Sequence, residues 1–140
     1  MKLKRYQKKY NFSYSYGIYP TLDLIKYKND HVIEVLFDSN YKENAGALEI
    51  KDLCKKHNIK TRFNDRLIQK LSVKGNTYAI GVFEKYGSNL ETKENHLVLH
   101  NPSNMGNLGT IIRTMVGFDM NNLAIIAPGA DIFDPKVVRA

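Results

Sequence analysis

Residues 96–114 constrain the fold of this chain more than any other part of its sequence. Residues 96–99 (HLVL) are mostly apolar, which is typical of a buried strand. Residues 101–109 are almost all Gly, Asn, Ser or Pro, and the stretch that follows has apolar residues at helical spacing. A polar, turn-rich junction between a strand and a helix predicts an α/β protein. At such junctions the backbone can approach a ligand, and free helix N–H groups can meet an anion.

The composition narrows the class of protein. A chain of 140 residues usually forms one domain, or one small domain and part of another. No apolar run approaches the roughly 20 residues of a membrane span, and no secretory signal follows Met1, so we expect no membrane partner. The single cysteine, Cys54, excludes an internal disulfide and a CxxC metal framework, which makes a reducing, cytoplasmic location the default and predicts no metal site.

The net charge of +7 is concentrated at the N-terminus. Five cations precede the first acidic residue, Asp23: Lys2, Lys4, Arg5, Lys8 and Lys9. Five tyrosines lie within or just after them: Tyr6, Tyr10, Tyr14, Tyr16 and Tyr19. Cations interleaved with aromatics favour contact with the phosphates and unstacked bases of a nucleic acid, and removal of residues 2–9 should then flatten the salt dependence of binding. The alternative is a solvated arm without a partner.

The chain before residue 85 predicts a basic arm (1–12) followed by a small α/β domain (13–84). Apolar periodicity predicts a helix from Pro20 to about Lys26, strands near 31–37, 59–63 and 78–83, a helix over 44–57, and a short helix capped by Asn64. Residues 85–95 are polar and lack periodicity, so they are interpreted as a linker.

Residues 96–140 predict a second, incomplete α/β unit. A helix with apolar Leu108, Ile111, Ile112 and Met115 follows the first strand, a second strand spans 123–127, and Asp134 with Pro135 starts another helix. Two strands and one full helix cannot bury their apolar faces alone. We therefore expect the opening part of a longer domain, although another chain could supply the cover.

The junction at 101–109 has two explanations from its residues alone. Its Gly and Asn residues either only permit a tight connection, or they form a backbone cradle for a phosphate or ribose. Arg113, expected one turn into the helix, would then face the same pocket, because a guanidinium is rarely buried unpaired and suits a bidentate grip on phosphate. No dinucleotide-binding or P-loop pattern is present, so the residues alone leave the reaction open.

Residues 101–114 (NPSNMGNLGTIIRT) resemble the first signature motif of the SpoU (TrmH) family of RNA ribose methyltransferases, in the SPOUT class. Residues 133–140 (FDPKVVRA) are similar to the segment that follows in that family, and residues 13–83 resemble its N-terminal substrate-binding domain. The resemblance implies a ribosomal-protein-like α/β domain that binds RNA, followed by the start of a trefoil-knot α/β methyltransferase domain.

The resemblance also implies an activity, namely transfer of a methyl group from S-adenosylmethionine to a ribose 2′-hydroxyl of tRNA or rRNA. The family's catalytic Asn and Arg fall on Asn107 and Arg113. Because a guanidinium cannot act as a base in proteins, Arg113 would orient a phosphate and stabilise the developing alkoxide. Asn107 would hold Arg113 or the hydroxyl by hydrogen bonds, or simply cap the helix.

The sequence also departs from the family. Two further glycine-bearing motifs, which bind S-adenosylmethionine and form the knot, have no counterpart, so no residue here is assigned to the cofactor. Family members dimerise through the catalytic domain, which implies a homodimer for the full-length protein and no activity for this chain alone. Lys136 and Arg139 in the last helix could touch RNA, although exposed helix charges are the default.

Two other functions stay open at this point. The chain could be a non-catalytic RNA-binding module, in which the first domain and the basic arm suffice. A small-molecule phosphate binder that uses only residues 101–109 is a third alternative. Substitution of Arg113 by Ala separates the methyltransferase from the binding module: it should leave RNA affinity nearly intact in a binding module, but abolish turnover in a full-length enzyme.

Overall fold

The computed structural model describes residues 2–41, 44–72, 75 and 77–140, and it divides into two compact units, Met1–Lys85 and Tyr86–Ala140. The first unit contains β1 (Phe12–Tyr16), α1 (Ile18–Lys28), β2 (Val32–Phe37), α2 (Ala45–Lys56), β3 (Lys60–Phe63), α3 (Asp65–Leu71) and β4 (Ala79–Glu84). The strand order is β1-β4-β2-β3. Strands β1 and β2 run antiparallel to β4, and β3 is parallel to β2 at the edge.

The sheet of the first unit has a hydrophobic core on each face. On one face, Leu36 and Val82 pack with Ile68 and Leu71 of α3. The other core includes Val35 and Phe37 of β2, with helices α1 and α2 as cover. Alternating residues of β2 thus enter opposite cores, which is the period-2 pattern of a strand covered on both faces. The α/β fold class predicted from the sequence is confirmed.

Strand β1 was missed by the sequence analysis, which interpreted its tyrosines as contacts for RNA bases. Phe12, Tyr14 and Tyr16 alternate along β1 and are buried in the core that contains α3. The Tyr14 hydroxyl donates a hydrogen bond to the Lys4 carbonyl (2.5 Å), and the Tyr16 hydroxyl donates to the Leu71 carbonyl (2.8 Å). Burial also raises the pKa of Tyr14 well above its usual value. All three rings are therefore core residues, and the hydroxyls of Tyr14 and Tyr16 are hydrogen-bonded.

Residues 2–12 pack against the rest of the first unit, whereas the sequence predicted a separate arm over residues 1–12. Leu3 is only 4% exposed and belongs to the core on the α3 face. The Arg5 Nε donates to the Lys70 carbonyl (3.0 Å), and Lys85 Nζ donates to the Lys8 carbonyl (2.8 Å). The side chains of the five cations remain exposed. The segment is thus anchored by its apolar and backbone groups and presents its charges to solvent.

The helix cap predicted at Asn64 is confirmed, and two further Asn residues flank α2. The Asn64 side chain accepts a hydrogen bond from Leu67 N (3.0 Å) at the start of α3. Asn44 accepts from Ala47 N (2.9 Å) at the start of α2. Asn58, just beyond α2, has φ +54°, the left-handed conformation that often ends a helix.

The second unit contains β5 (His96–His100), α4 (Met105–Gly117), β6 (Asn122–Ile126) and α5 (Pro135–Arg139). Strands β5 and β6 form a parallel pair in which His96 faces Asn122. A linker was expected over residues 85–95. Of these, residues 86–95 belong to the second unit, since Glu91 N donates to Asn122 Oδ1 (2.7 Å) and the Tyr86 ring packs edge-on against Phe133. Across the described residues of both units, no helix is long and apolar enough to cross a membrane.

Candidate functional site

The loops that follow β5 and β6 lie side by side at the carboxyl ends of the two parallel strands. Asn101 N donates to the Ile126 carbonyl (3.2 Å), and Ala130 N donates to the Pro102 carbonyl (2.7 Å). A Cβ placed on Gly129 would lie 3.1 Å from Pro102 Cδ, so the small residue permits this close approach. The carboxyl end of parallel strands is where open α/β sheets bind ligands.

Helix α4 begins at Met105, four residues earlier than the end of the loop expected over 101–109. Asn104 is the N-cap, because its Oδ1 accepts a hydrogen bond from the backbone N–H of Asn107 (2.8 Å). Asn107 is therefore the third residue of the helix, and the alternative that it serves as the cap is wrong. Gly106 and Gly109 are also helical, so the loop is shorter than the turn-forming preference of Gly and Asn predicts.

Gly109 has a packing role that its sequence context did not reveal. A Cβ at this position would lie 2.8 Å from the Val137 carbonyl oxygen and would also meet the Ala140 side chain. Real Cβ atoms are essentially never found so close to a backbone oxygen. Glycine at residue 109 therefore allows α4 and α5 to touch, which explains the residue without a phosphate cradle.

Arg113 is exposed and lies further along the helix than expected. It is eight residues beyond Met105, roughly 12 Å along the axis and about two turns in, whereas the sequence analysis placed it one turn in. Thr110 and Gly106, three and seven positions earlier, lie on the same exposed face. Its guanidinium forms no hydrogen bond or ion pair with any residue that the structure describes, so its donors are available to a ligand.

Asn107 and Arg113 are both exposed on α4, but no hydrogen bond joins them. Six residues separate them, which is about 9 Å along the axis and about 120° around it. The expected direct support of Arg113 by Asn107 is therefore not found. The two side chains could act on one ligand only if that ligand spans the distance between them.

The remaining cations expected to contact RNA are exposed in both units. Lys136 and Arg139 lie on α5, which packs against α4. The cap predicted for α5 is confirmed, since Asp134 Oδ1 accepts from Lys136 N (2.9 Å) and Pro135 occupies the first turn. The N-terminal cations belong to the first unit and are also exposed: Lys2, Lys4, Arg5, Lys8 and Lys9.

An apolar cleft of about 280 Å³, which the sequence did not predict, lies between α4 and β5. Its lining includes Leu97, Met115 and Phe118. The two hydroxyls that line it, of Thr110 and Thr114, donate to carbonyls of the preceding helical turn (both 2.9 Å). A cleft without a charged lining residue does not fit S-adenosylmethionine, whose charged amino-acid end requires polar partners. Among the described residues, no group of three His, Cys, Asp or Glu side chains could hold a metal ion.

Comparisons with protein families and with solved structures both find RNA methyltransferases. Residues 94–140 match the SpoU rRNA methylase family. A search of curated proteins finds no match. The structure resembles an rRNA methyltransferase from Sinorhizobium meliloti, with a TM-score of 0.72 and 18% identity over 94% of this chain and 52% of that one.

Two further solved structures are similar. The SpoU methyltransferase AviRb from Streptomyces viridochromogenes, in complex with the cofactor AdoMet, gives a TM-score of 0.70 and 17% identity over 91% of this chain and 48% of that one. A Porphyromonas gingivalis protein assigned to the TrmH family of RNA methyltransferases gives 0.68 and 16%, over 92% and 49%.

At such identities these structures establish the fold, and the chain spans about half the length of the solved proteins that it matches. The family resemblance predicted from residues 101–114 is confirmed by the family match to residues 94–140. Residues 94–140 thus match the SpoU rRNA methylase family, and the chain as a whole resembles solved SpoU and TrmH methyltransferases in its fold.

Proposed function

We propose that this chain is part of an RNA methyltransferase that transfers a methyl group from S-adenosylmethionine to a ribose 2′-hydroxyl of tRNA or rRNA. The observation that carries the proposal is the match of residues 94–140 to the SpoU family, within which Arg113 is exposed with unengaged donors. The domain roles follow from it: residues 13–84 recruit RNA, and residues 96–140 contribute to the catalytic centre.

Arg113 supplies positive charge to a reaction that generates negative charge. A 2′-hydroxyl is a weak nucleophile until its proton leaves, and an alkoxide develops as it attacks the methyl group. A guanidinium remains protonated and offers a planar fork of donors, so Arg113 binds the adjacent phosphate and stabilises the oxyanion. The proton itself must pass to another acceptor.

Asn107 positions the hydroxyl in this proposal. The amide can donate and accept hydrogen bonds, so it can orient a 2′-hydroxyl, which does both. Its side chain has no hydrogen-bond partner among the described residues, and its backbone N–H is already satisfied by Asn104. The nucleotide therefore has to span from Asn107 to Arg113, which lie about 9 Å apart along α4 and about 120° apart around it.

We assign no residue of this chain to the cofactor. S-adenosylmethionine supplies an electrophilic methyl group on a sulfonium, and AviRb was solved with AdoMet bound. Because the apolar cleft described for the second unit does not fit that molecule, we propose that the 140-residue chain alone transfers no methyl group. We also propose that the full-length protein is a homodimer, since the second unit exposes large apolar side chains such as Phe118 and Val116.

A hybrid enzyme tests the proposal. Residues 94–140 replace the corresponding segment of the Sinorhizobium meliloti rRNA methyltransferase, and transfer of labelled methyl from S-adenosylmethionine to rRNA is measured. We expect an active hybrid, in which Arg113→Ala lowers kcat by about 10²- to 10³-fold, the usual cost of removing one oxyanion donor. Methylated ribose resists alkaline cleavage at its 3′ phosphate, which distinguishes it from a methylated base. A hybrid that is equally active with Arg113→Ala would refute the role of Arg113.

A non-catalytic RNA-binding module is the second candidate. It is favoured by the first unit, which has its own two-sided core and presents exposed cations at its N-terminus. In that case the chain binds RNA, Arg113→Ala leaves the affinity unchanged, and the hybrid enzyme transfers no methyl group. Detectable methyl transfer by the hybrid would exclude this candidate.

A further inference from the structure

The first unit contains a cleft of about 410 Å³ between α2 and the edge strand β3. Among the strands that the structure describes, β3 pairs with β2 alone, so its other edge is open there. Thr61 and Phe63 of β3 line the cleft with Lys51 and Lys55 of α2. The volume falls within the roughly 300–1,000 Å³ typical of small-ligand sites.

Phe63 forms an exposed platform at the mouth of this cleft. Its side chain is 54% exposed, although Phe is usually buried. Its ring centroid is 5.7 Å from that of Phe37, which is fully buried, and 5.6 Å from that of Tyr41. Because two neighbouring rings already hold Phe63 in place, a planar ligand could stack on it without the cost of ordering a mobile side chain.

Two lysines of α2 give this aromatic cluster a positive potential. Lys51 Nζ lies 4.5 Å from the Tyr41 ring centroid and 5.8 Å from the Phe63 centroid, and it donates to the Tyr41 hydroxyl. Lys55 lies one turn further along the helix. Among the described residues that line the cleft, these two lysines are the charged side chains and none is acidic. The lining therefore complements an anion.

Polar and neutral groups complete the wall of the cleft. The Asn58 amide, just beyond α2, offers both a donor and an acceptor, which suits the edge of a base. The Cys54 thiol also lines the cleft, and burial raises its pKa to about 11. The thiol is therefore uncharged at neutral pH and adds no repulsion towards phosphate.

We propose that this cleft binds one unpaired nucleotide of the RNA, with its base stacked on Phe63 and its phosphate near Lys51 and Lys55. The proposal rests on the proposed function for the nature of the ligand, and it adds a recognition site in the first unit to the residues Asn107 and Arg113 of the second unit. A flat exposed ring flanked by cations is the combination that single-stranded RNA requires, because stacking and phosphate contacts supply its affinity.

Binding of a fluorescein-labelled, single-stranded RNA of about 12 nucleotides to the full chain tests the site by fluorescence anisotropy. We expect Phe63→Ala to raise Kd by at least about fivefold, the lower end of the loss on removing one base–aromatic stack. Phe63→Tyr keeps the ring and should bind within twofold of the unsubstituted chain. Tyr27→Ala, which removes a 76% exposed ring from α1, is the matched control and should change nothing.

The salt dependence separates stacking from charge. Lys55→Met should lower the slope of log K against log salt by about 0.7, the value for one phosphate contact with a single strand. Phe63→Ala should weaken binding without changing that slope. If thermal melting shows that Phe63→Ala unfolds the chain, Phe63→Leu retains the apolar volume and removes the stacking surface.

The outcomes distinguish this inference from the proposed function. If folded Phe63→Ala and Phe63→Leu bind RNA as tightly as the unsubstituted chain, the inference is wrong while the proposed function stands. If binding depends on Phe63 but the hybrid enzyme transfers no methyl group, the inference stands and the catalytic proposal fails. A chain that binds no RNA at all would overturn both.

Discussion

The backbone carbonyl oxygen of Val137 lies too close to Gly109 for residue 109 to carry a side chain without a steric clash. A Cβ on Gly109 would sit 2.8 Å from that oxygen, and the Ala140 side chain closes the same space. Helices α4 and α5 of the second unit therefore pack this closely because residue 109 has no side chain.

We expect Gly109→Ala to destabilise the second unit by about 1–3 kcal/mol, the usual cost of overpacking. Helix propensity alone predicts the opposite sign, since Ala in a helix interior is favoured over Gly by about 1 kcal/mol. Amide hydrogen exchange of α4 measures the change locally. Gly117→Ala is the matched control, because nothing lies within 4 Å of a Cβ at the end of the same helix. Equal exchange rates in the two variants would contradict the packing role of Gly109.

The cap of α4 gives a second prediction. Asn104→Ala removes the side-chain acceptor of the Asn107 N–H and should destabilise the helix by about 1 kcal/mol. Asn107→Ala removes an amide that has no partner among the described residues, so stability should stay within about 0.5 kcal/mol. Urea unfolding monitored by circular dichroism compares the two. A larger loss for Asn107→Ala would mean that its side chain supports the fold, which weakens its assignment to RNA.

The sequence predicted most helices and strands because their apolar residues repeat with a clear period. Strand β2 was expected at 31–37 and spans Val32–Phe37, and α2 was expected at 44–57 and spans Ala45–Lys56. Local hydrogen bonding also made Asn64 and Asp134 recognisable as caps. These features depend on residues close in sequence, so the sequence is sufficient to predict them.

What could not be predicted depends on contacts between distant residues. Gly109 was interpreted as a loop former because its neighbour across the helix pair, Val137, is 28 residues away. The Phe63 platform combines side chains of β2, α2, β3 and the loop before α2, none of which is unusual alone. Strand β1 is a different case: its period-2 aromatics were visible, but the adjacent cations favoured an RNA interpretation.

A partly buried ion pair in the first unit provides a third prediction. Glu34 is only 7% exposed, and Arg62 meets it with Nη2 at 3.0 Å and Nε at 2.7 Å. Arg62→Met leaves that carboxylate without its cation and should cost about 1–3 kcal/mol, less than for a fully buried pair because Arg62 is partly exposed. The double variant Glu34→Met/Arg62→Met should recover most of the loss. Urea unfolding compares the unsubstituted chain with the two variants, and a double variant that is no more stable than Arg62→Met would argue against coupling.

The buried thiol of Cys54 predicts a pH dependence. Burial raises its pKa in the folded chain to about 11, against about 8.5 in an unfolded chain. The folded state thus retains a proton that the unfolded state loses, so this contribution to stability is intact below about pH 8.5 and is lost as the pH rises towards 11. Cys54→Ala lacks the titrating group, and its stability deficit should shrink between pH 8 and pH 11. Unfolding free energies from urea titrations test this, and a deficit independent of pH would contradict it.

The N-terminal cations give the last prediction, and the structure alters how it must be tested. Removal of residues 2–9 would delete Leu3 from the core and the Arg5 bond to the Lys70 carbonyl, so weaker RNA binding could simply reflect unfolding. Substitution of the exposed lysines by Gln avoids this: Lys2, Lys4, Lys8 and Lys9. We expect the slope of log K against log salt to fall by about 0.7 for each phosphate of single-stranded RNA that is no longer neutralised, with an unchanged melting temperature.

Leu3→Ala is the opposite control, because it should lower the unfolding free energy by about 2–5 kcal/mol and leave the slope of the folded chain intact. An unchanged slope in the quadruple variant would mean that RNA does not bind to this surface.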